Sequence, residues 1–104
     1  MNTDEYGQWV ENKILTKGND RLVENTLGLV GEAGEVAEKI KKLIRDSTRF
    51  ETEEIESELG DVLFYLTAIA NHLGSSLTDV VSNNVCKLDD RENRNVLRGS
   101  GDKR

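Results

Sequence analysis

The chain has 104 residues, of which 33% are charged, and its formal net charge is −6. One domain fits this length, and the acidic balance argues against a nucleic-acid-binding protein, which normally presents a basic face. The single Cys86 excludes an internal disulfide. The N-terminus shows no signal peptide. No apolar run in the sequence approaches the roughly 18 residues needed to span a bilayer. We therefore expect a cytoplasmic protein without a membrane or nucleic-acid partner.

The first two predicted helices follow from hydrophobic periodicity. The first covers residues 3–16, with Val10 on its apolar face. The second covers residues 21–45, and Asp20 is a suitable N-cap directly before it. Its apolar residues recur at the spacing of three and four that is typical of a buried helix face. They are Val23, Leu27, Val30, Ala33, Ala37, Ile40 and Ile44.

Two further helices complete the predicted fold. The third follows Thr52, with Glu53 and Glu54 in its first turn, and fades at Gly74. The fourth is capped by Ser76 and ends near Arg94. Four helices with short connections predict an all-α, antiparallel four-helix-bundle-like domain. We assign this domain to residues 1–97 and a flexible, glycine-rich C-terminal tail to residues 98–104.

Two pairs of carboxylates stand beside the apolar faces of the second and third helices. Glu32 and Glu35 are three residues apart, as are Glu58 and Asp61. Residues at this spacing are neighbours on a helix, so each pair carries a repulsion of a few tenths of a kcal/mol. If the two helices pack through these sides, four acids meet in a partly buried place and require cations.

The donor set indicates which cation these acids would bind. Only carboxylate oxygens are present at ligand spacing, which favours Mg²⁺, with Mn²⁺ as a substitute, shared with a polyphosphate. In a chain with 20 acidic residues, acids three apart also arise as ordinary solvated helix faces. The adjacent Gly31, Gly34 and Gly60 favour a site, because glycine lets a ligand or a backbone approach closely. Tight helix crossing is the alternative explanation for these glycines.

The acidic segments resemble those of a known family. E-A-G-E at residues 32–35 and E-L-G-D at residues 58–61 are similar to the E-x-x-E, E-x-x-D signature of the MazG-like nucleoside triphosphate pyrophosphohydrolases, an all-α superfamily. The likeness extends over about residues 24–91 and departs from the pattern at Ser57, where relatives often have glutamate. It implies a homodimer or homotetramer that uses Mg²⁺ to hydrolyse a nucleoside or deoxynucleoside triphosphate to monophosphate and pyrophosphate. The implied metal ligands are Glu32, Glu35, Glu58 and Asp61.

Substrate-binding residues are predicted on three of the helices. The resemblance implies contacts of Tyr65 with the sugar or phosphates. It also implies phosphate contacts from Asn84, Lys87 and Arg91; ordinary surface charge is the alternative for the last two. Trp9 could stack on a base, since aromatic rings do so readily, or it could pack in the core.

The predicted mechanism is attack of water on the α-phosphorus with departure of pyrophosphate. Glu32 or Glu35 would act as the base toward that water, so we expect both to be catalytic. Two other functions remain open: a catalytically weak sensor that binds Mg²⁺ and nucleotide, and a helical interaction module whose acids only decorate its surface. Within the enzyme class, the related phosphoribosyl-ATP and dimeric dUTP hydrolases also remain open.

Overall fold

Four α-helices make up the described part of the chain. The computed structural model describes residues 1–45, 52–95 and 101, so the predicted break at 46–51 and almost all of the predicted tail lie outside the described residues. The helices are α1 (Thr3–Glu11), α2 (Gly18–Arg45), α3 (Thr52–His72) and α4 (Leu77–Asn93). The predicted all-α class and the number of helices are confirmed. No helix in the described part of the chain is long and apolar enough to cross a membrane.

The start of α1 is fixed by local hydrogen bonds. Asn2 forms a capping box with Glu5: its side chain accepts from the backbone N–H of Glu5 at 2.8 Å, and the Glu5 carboxylate accepts from that of Asn2 at 3.0 Å. These bonds satisfy two donors that a helix start otherwise leaves unpaired. The helix ends at Glu11, five residues before the predicted end. Beyond it the backbone tightens into i→i+3 turns, such as Lys13 N–H to Val10 carbonyl at 2.9 Å, which cannot continue an α-helix.

The second helix begins earlier than its sequence predicts. Gly18 is the first residue and has φ +61°, a left-handed conformation that glycine adopts without a steric cost. Asp20 therefore lies in the first turn and not at the N-cap, so that prediction is wrong. Its carboxylate still faces the positive end of the helix, where a negative charge is favourable.

The most extensive helix–helix contact joins α2 to α3. Three contacts give its direction: Arg21 reaches the Ala68 carbonyl at 3.4 Å, Gly28 faces Tyr65, and Glu32 lies beside Asp61. Because the α2 number rises as the α3 number falls, the two helices are antiparallel. Helices α1 and α4 pack on α3 and on each other.

The core is small and centred on the C-terminal half of α3. Val10, Thr67 and Ala68 are fully buried, and Leu77 is nearly so. The Thr67 hydroxyl donates to the Leu63 carbonyl at 2.7 Å, which satisfies the one polar group among these side chains.

The predicted buried face of α2 is exposed in the single chain. Val23, Leu27, Val30 and Ile44 are 48%, 66%, 65% and 78% exposed. The predicted helical period of these residues is correct, but the side of α2 predicted to be buried is wrong, because α3 covers the opposite side. We call this exposed face the apolar stripe. It consists of Val23, Leu27, Val30, Ala33, Ala37, Ile40 and Ile44.

The covered side of α2 carries polar groups and a glycine. Asn25 is buried, whereas Gly28, Leu29, Glu32 and Val36 are half-buried. A Cβ on Gly28 would lie 2.5 Å from the Tyr65 ring, closer than real Cβ contacts. The glycine therefore allows α3 to approach α2 closely. By contrast, a Cβ on Gly31, Gly34 or Gly60 would meet nothing within 4 Å. Close helix packing thus explains Gly28 but none of those three.

An ion pair joins α1 to α2. The Arg21 guanidinium donates to both carboxylate oxygens of Glu11, at 2.6 and 2.7 Å. The Arg21 side chain is 13% exposed and that of Glu11 40%. The hydrogen bond from Arg21 is the largest cause that holds the pKa of Glu11 below its ordinary value of 4.5, although partial burial opposes it.

Replacing Gly28 with alanine should destabilise the fold. Overpacking against Tyr65 costs about 1–3 kcal/mol, which exceeds the gain in helix propensity of up to about 1 kcal/mol. Gly60→Ala has the same gain and no clash, so its free energy of unfolding should rise. Urea denaturation of Gly28→Ala, Gly60→Ala and the unchanged chain measures the order of their free energies of unfolding. A Gly28→Ala protein as stable as Gly60→Ala would contradict the packing described for Tyr65.

Glu11→Gln should lower the free energy of unfolding at neutral pH by about 1–2 kcal/mol, because it leaves the largely buried Arg21 charge without its partner. The pKa of Glu11 is lowered on folding, so its contribution is complete above 4.5 and disappears as the pH falls through the lower folded pKa. The variant and the unchanged chain should therefore converge at acidic pH in urea titrations.

The matched control is Glu38→Gln. Glu38 pairs with Lys41 at 3.7 Å, and both side chains are about half exposed, so its loss should cost less than about 0.5 kcal/mol. Equal losses of unfolding free energy in Glu11→Gln and Glu38→Gln would show that the Glu11–Arg21 pair stabilises the fold no more than an exposed ion pair does.

Candidate metal and nucleotide site

Three acids from two helices converge beside the α2–α3 contact. Glu32 of α2 and Glu58 and Asp61 of α3 each place one carboxylate oxygen within 4.8 Å of the others. Glu32 and Glu58 are half-buried and Asp61 is exposed. We call this group the acid cluster. Carboxylates this close repel one another when all are ionised, and a divalent cation bound among them would offset that repulsion.

The electrostatic environment of Glu32 reflects this crowding. The pKa of Glu32 is raised, first by a hydrogen bond with Glu58 and then by partial desolvation. The negative charge of Asp61 raises it further, and that of Glu35 has the smallest share. Negative potential thus accumulates at one point of the surface, where it attracts cations.

Glu35 stands apart from the other three predicted ligands. It is exposed and does not belong to the group of oxygens within 4.8 Å, although its charge acts on Glu32. The structure therefore brings together three of the four acids predicted as ligands. The role of the fourth stays a prediction.

Aromatic rings lead from α1 to the acid cluster. Tyr6 stacks on Trp9 with ring centroids 5.7 Å apart. Trp9 meets Phe64 edge-to-face at 6.1 Å, and Phe64 meets Tyr65 in the same way at 5.5 Å. Burial is the larger cause that raises the pKa of Tyr6, and the negative charge of Asp61 is the second. The electrostatic field of Asp61 therefore extends to Tyr6.

Two of these rings were predicted to bind substrate. Tyr65 is half-buried against Gly28, one helical turn after Asp61. Trp9 is 43% exposed, and the Lys13 ammonium lies 5.4 Å from its ring centroid. A cation over an indole face is favourable. Trp9 therefore combines packing with an accessible surface, and its predicted contact with a base stays open.

The predicted phosphate-binding residues lie on α4. Asn84 and Lys87 are exposed and line a hollow of about 310 Å³ together with Val80 and Asn83; no acid of the cluster lines it. Arg91 is only 4% exposed. Within the described residues, α4 packs on α1 and α3 and not on α2. A single chain thus keeps these residues on a different surface from Glu32.

Two further hollows lie near α1. One, of about 330 Å³, lies between α1 and the end of α3 with the turn before α4, and is lined by Asp4, Gln8 and Asn71, among others. The other, of about 170 Å³, lies between the segment that follows α1 and the α2–α3 pair. We call the second the Asn25 pocket. Its lining includes Ile14, Leu15, Glu24, Asn25, Phe64 and Tyr65.

Sequence reasoning missed Asn25 as a functional candidate. It lies three residues before Gly28 and seven before Glu32, which places all three on one side of the helix. That register was available from the sequence. The periodicity predicts burial of the apolar stripe and not of this side, so it gives no signal for Asn25.

Comparisons with known proteins agree with the motifs. The model of a family described as the MazG nucleotide pyrophosphohydrolase domain matches residues 22–96, which include the whole acid cluster. The chain is also similar to the "Gene 37 protein" of Mycobacterium phage L5, with 46% identity over 83 residues, or 76% of this chain and 73% of the phage protein. No solved structure matches it. With most of its length matched, the chain belongs to the MazG nucleotide pyrophosphohydrolase family.

Proposed function

We propose that this protein is a Mg²⁺-dependent pyrophosphohydrolase that cleaves a nucleoside or deoxynucleoside triphosphate to the monophosphate and pyrophosphate. The acid cluster is the observation that carries the proposal: three carboxylates from two helices, with oxygens within 4.8 Å of one another. Membership of the family supports the reaction class. The three carboxylates of the cluster would hold the metal, which would supply positive charge to the phosphates.

Mg²⁺ fits this donor set, and Mn²⁺ is a substitute. The ligands are all oxygen atoms, which hard divalent cations prefer, and a partly exposed site leaves room for water and phosphate oxygens. When bound, the metal would neutralise triphosphate charge and make the α-phosphorus more electrophilic. We propose Glu32, Glu58 and Asp61 as its principal ligands and Glu35 as the fourth.

The protein's own contribution to the reaction is to position and deprotonate water. A water oxygen attacks the α-phosphorus, the bond from that phosphorus to the α–β bridging oxygen breaks, and pyrophosphate leaves. Glu35, exposed beside the cluster, is our first candidate for the base that accepts the proton, and Glu32 is the second. General base catalysis of this kind contributes about 10²–10⁴-fold.

Substrate contacts are proposed at both ends of the nucleotide. Tyr65 and Trp9 supply aromatic surface near the cluster for the nucleoside. Asn84 and Lys87 lie on a different surface from the acid cluster of their own chain, so we propose that those of a second copy supply polar and cationic groups for the phosphates. Arg91 is the third proposed member of the phosphate set; because it is buried, its replacement should affect stability together with activity.

A second copy of the chain is proposed to cover the apolar stripe. Val23, Leu27 and Val30 are each about half exposed or more, and a contiguous apolar surface of this kind is typical of an interface. The 28-residue α2 packs on a single helix within the described residues. A homodimer or homotetramer would bury its other side.

Asp61→Asn and Glu58→Gln should each reduce turnover by at least about 100-fold, since loss of outer-shell partners alone costs 10–100-fold. The measurement is product analysis over a panel of ribo- and deoxynucleoside triphosphates, with Mg²⁺ and with EDTA. Monophosphate and pyrophosphate should appear in equal amounts and only with metal. The control is Glu53→Gln, which removes an exposed acid from the first turn of the same helix.

The same assays, with melting temperatures measured alongside, distinguish the alternative functions. Full activity of Asp61→Asn would overturn the metal assignment. No turnover, with a melting temperature that rises with Mg²⁺ and nucleotide, would favour a nucleotide sensor. An unchanged melting temperature would leave a helical interaction module.

Charges placed in the apolar stripe should dissociate the assembly. We expect sedimentation velocity to show a dimer or tetramer for the unchanged chain and a smaller species for Leu27→Glu/Val30→Glu, because the interface would bury two unpaired charges. Lys42→Glu, an exposed position on the same helix, changes the net charge equally and is the control. A monomeric unchanged chain would contradict this part of the proposal.

A further inference from the structure

A buried amide without a partner marks the Asn25 pocket. Asn25 is 4% exposed, and its side-chain Nδ2 has no hydrogen-bond acceptor among the described residues. Buried polar atoms are almost always paired, because burying an unpaired donor loses its bonds to water. The Arg21 Nε is also unpaired, but the same guanidinium already bonds Glu11 through its other nitrogens.

The surroundings of this amide have the composition of a ligand pocket. Ile14, Leu15, Phe64 and Tyr65 supply apolar and aromatic surface, and Asn25 supplies a donor. Lys13, Thr16 and Glu24 complete the lining with polar groups. Small-molecule sites combine apolar surface with placed polar groups. At about 170 Å³, the pocket is below the usual range of about 300–1,000 Å³ for whole ligands. It therefore suits a single ring system.

The position of the pocket relates it to the acid cluster. Tyr65 contributes to the pocket wall and lies against Gly28, one turn from Glu32 on α2. Asn25 is seven residues from Glu32, or about 10 Å along the helix. A nucleotide with its phosphates at the acid cluster would extend past Tyr65 with its sugar and reach Asn25 with its base. This step rests on the proposed function.

We propose that the Asn25 pocket binds the base of the nucleotide and that Asn25 determines base preference. Its Nδ2 donates a hydrogen bond to an acceptor on the base edge, which is a carbonyl oxygen or an unprotonated ring nitrogen. A base that presents an amino group at the same point leaves two donors facing each other. Sites that pair a buried hydrogen-bonding group with their substrate discriminate strongly against substrates that lack the partner.

The kinetic test compares base preference in two variants. In Asn25→Ala, the ratio of kcat/KM between the best and the worst of the four bases should fall about tenfold, while turnover keeps its metal dependence. Asn19→Ala, an exposed asparagine in the first turn of the same helix, should leave the ratio unchanged. Turnover with an unaltered ratio in Asn25→Ala would overturn the proposal.

A binding measurement tests the proposed contact of Asn25 with the base independently of turnover. After resonance assignment of the unchanged chain, uridine, cytidine, adenosine and guanosine monophosphates are titrated in turn while the side-chain NH₂ signal of Asn25 is followed. A shift that differs among the bases supports the inference even if no triphosphate is hydrolysed, in which case only the proposed reaction fails. An Asn25 signal that never moves, as expected if water alone bonds the amide, overturns it.

Discussion

The site depends on how closely α2 and α3 can approach. The Tyr65 ring occupies the space that a side chain at position 28 would fill, and this contact sets the register of the two antiparallel helices. One turn away on each helix, that register places Glu32 opposite Asp61. Both the acid cluster and the Asn25 pocket border this contact. A glycine that weakens the helix by about 1 kcal/mol is thus the condition for bringing the functional groups together.

The same approach creates an electrostatic cost inside the fold. Acids on the facing helix raise the pKa of Glu32, and an unpaired buried amide adds to this cost. Natural proteins commonly place destabilising groups where function requires them. A bound cation and a bound base would offset both, so stability and occupancy of the site should be linked.

Much of the fold and of the acid cluster could be predicted from the sequence. The helices follow from periodicity, and the acids three apart indicate one patch on each helix. The inward side of α2 could not be read in the same way. The usual rule selects the most apolar side, and here Val30 and its neighbours face outward. A rule that assumes one core per chain cannot identify an apolar side that is covered by a surface outside that chain.

Residues that depend on tertiary context escaped sequence reasoning for a related reason. Asn25 looks like an ordinary polar residue until α3 buries it. The early end of α1 depends on backbone turns after Glu11 that have no strong signal in the sequence. For Asn25 the missing information is which neighbour arrives from elsewhere in the chain, and for the end of α1 it is the geometry of the local turns.

The two-sided character of α2 also affects how such a protein can change over time. At about 100° per residue, Val30 and Glu32 point about 200° apart around the same helix. If a second copy covers the apolar stripe as proposed, substitutions on the outer side would alter how copies associate and leave the acid cluster in place. Substitutions on the inner side would act on the proposed nucleotide site and leave the assembly in place. One helix would thus offer two nearly independent surfaces for change.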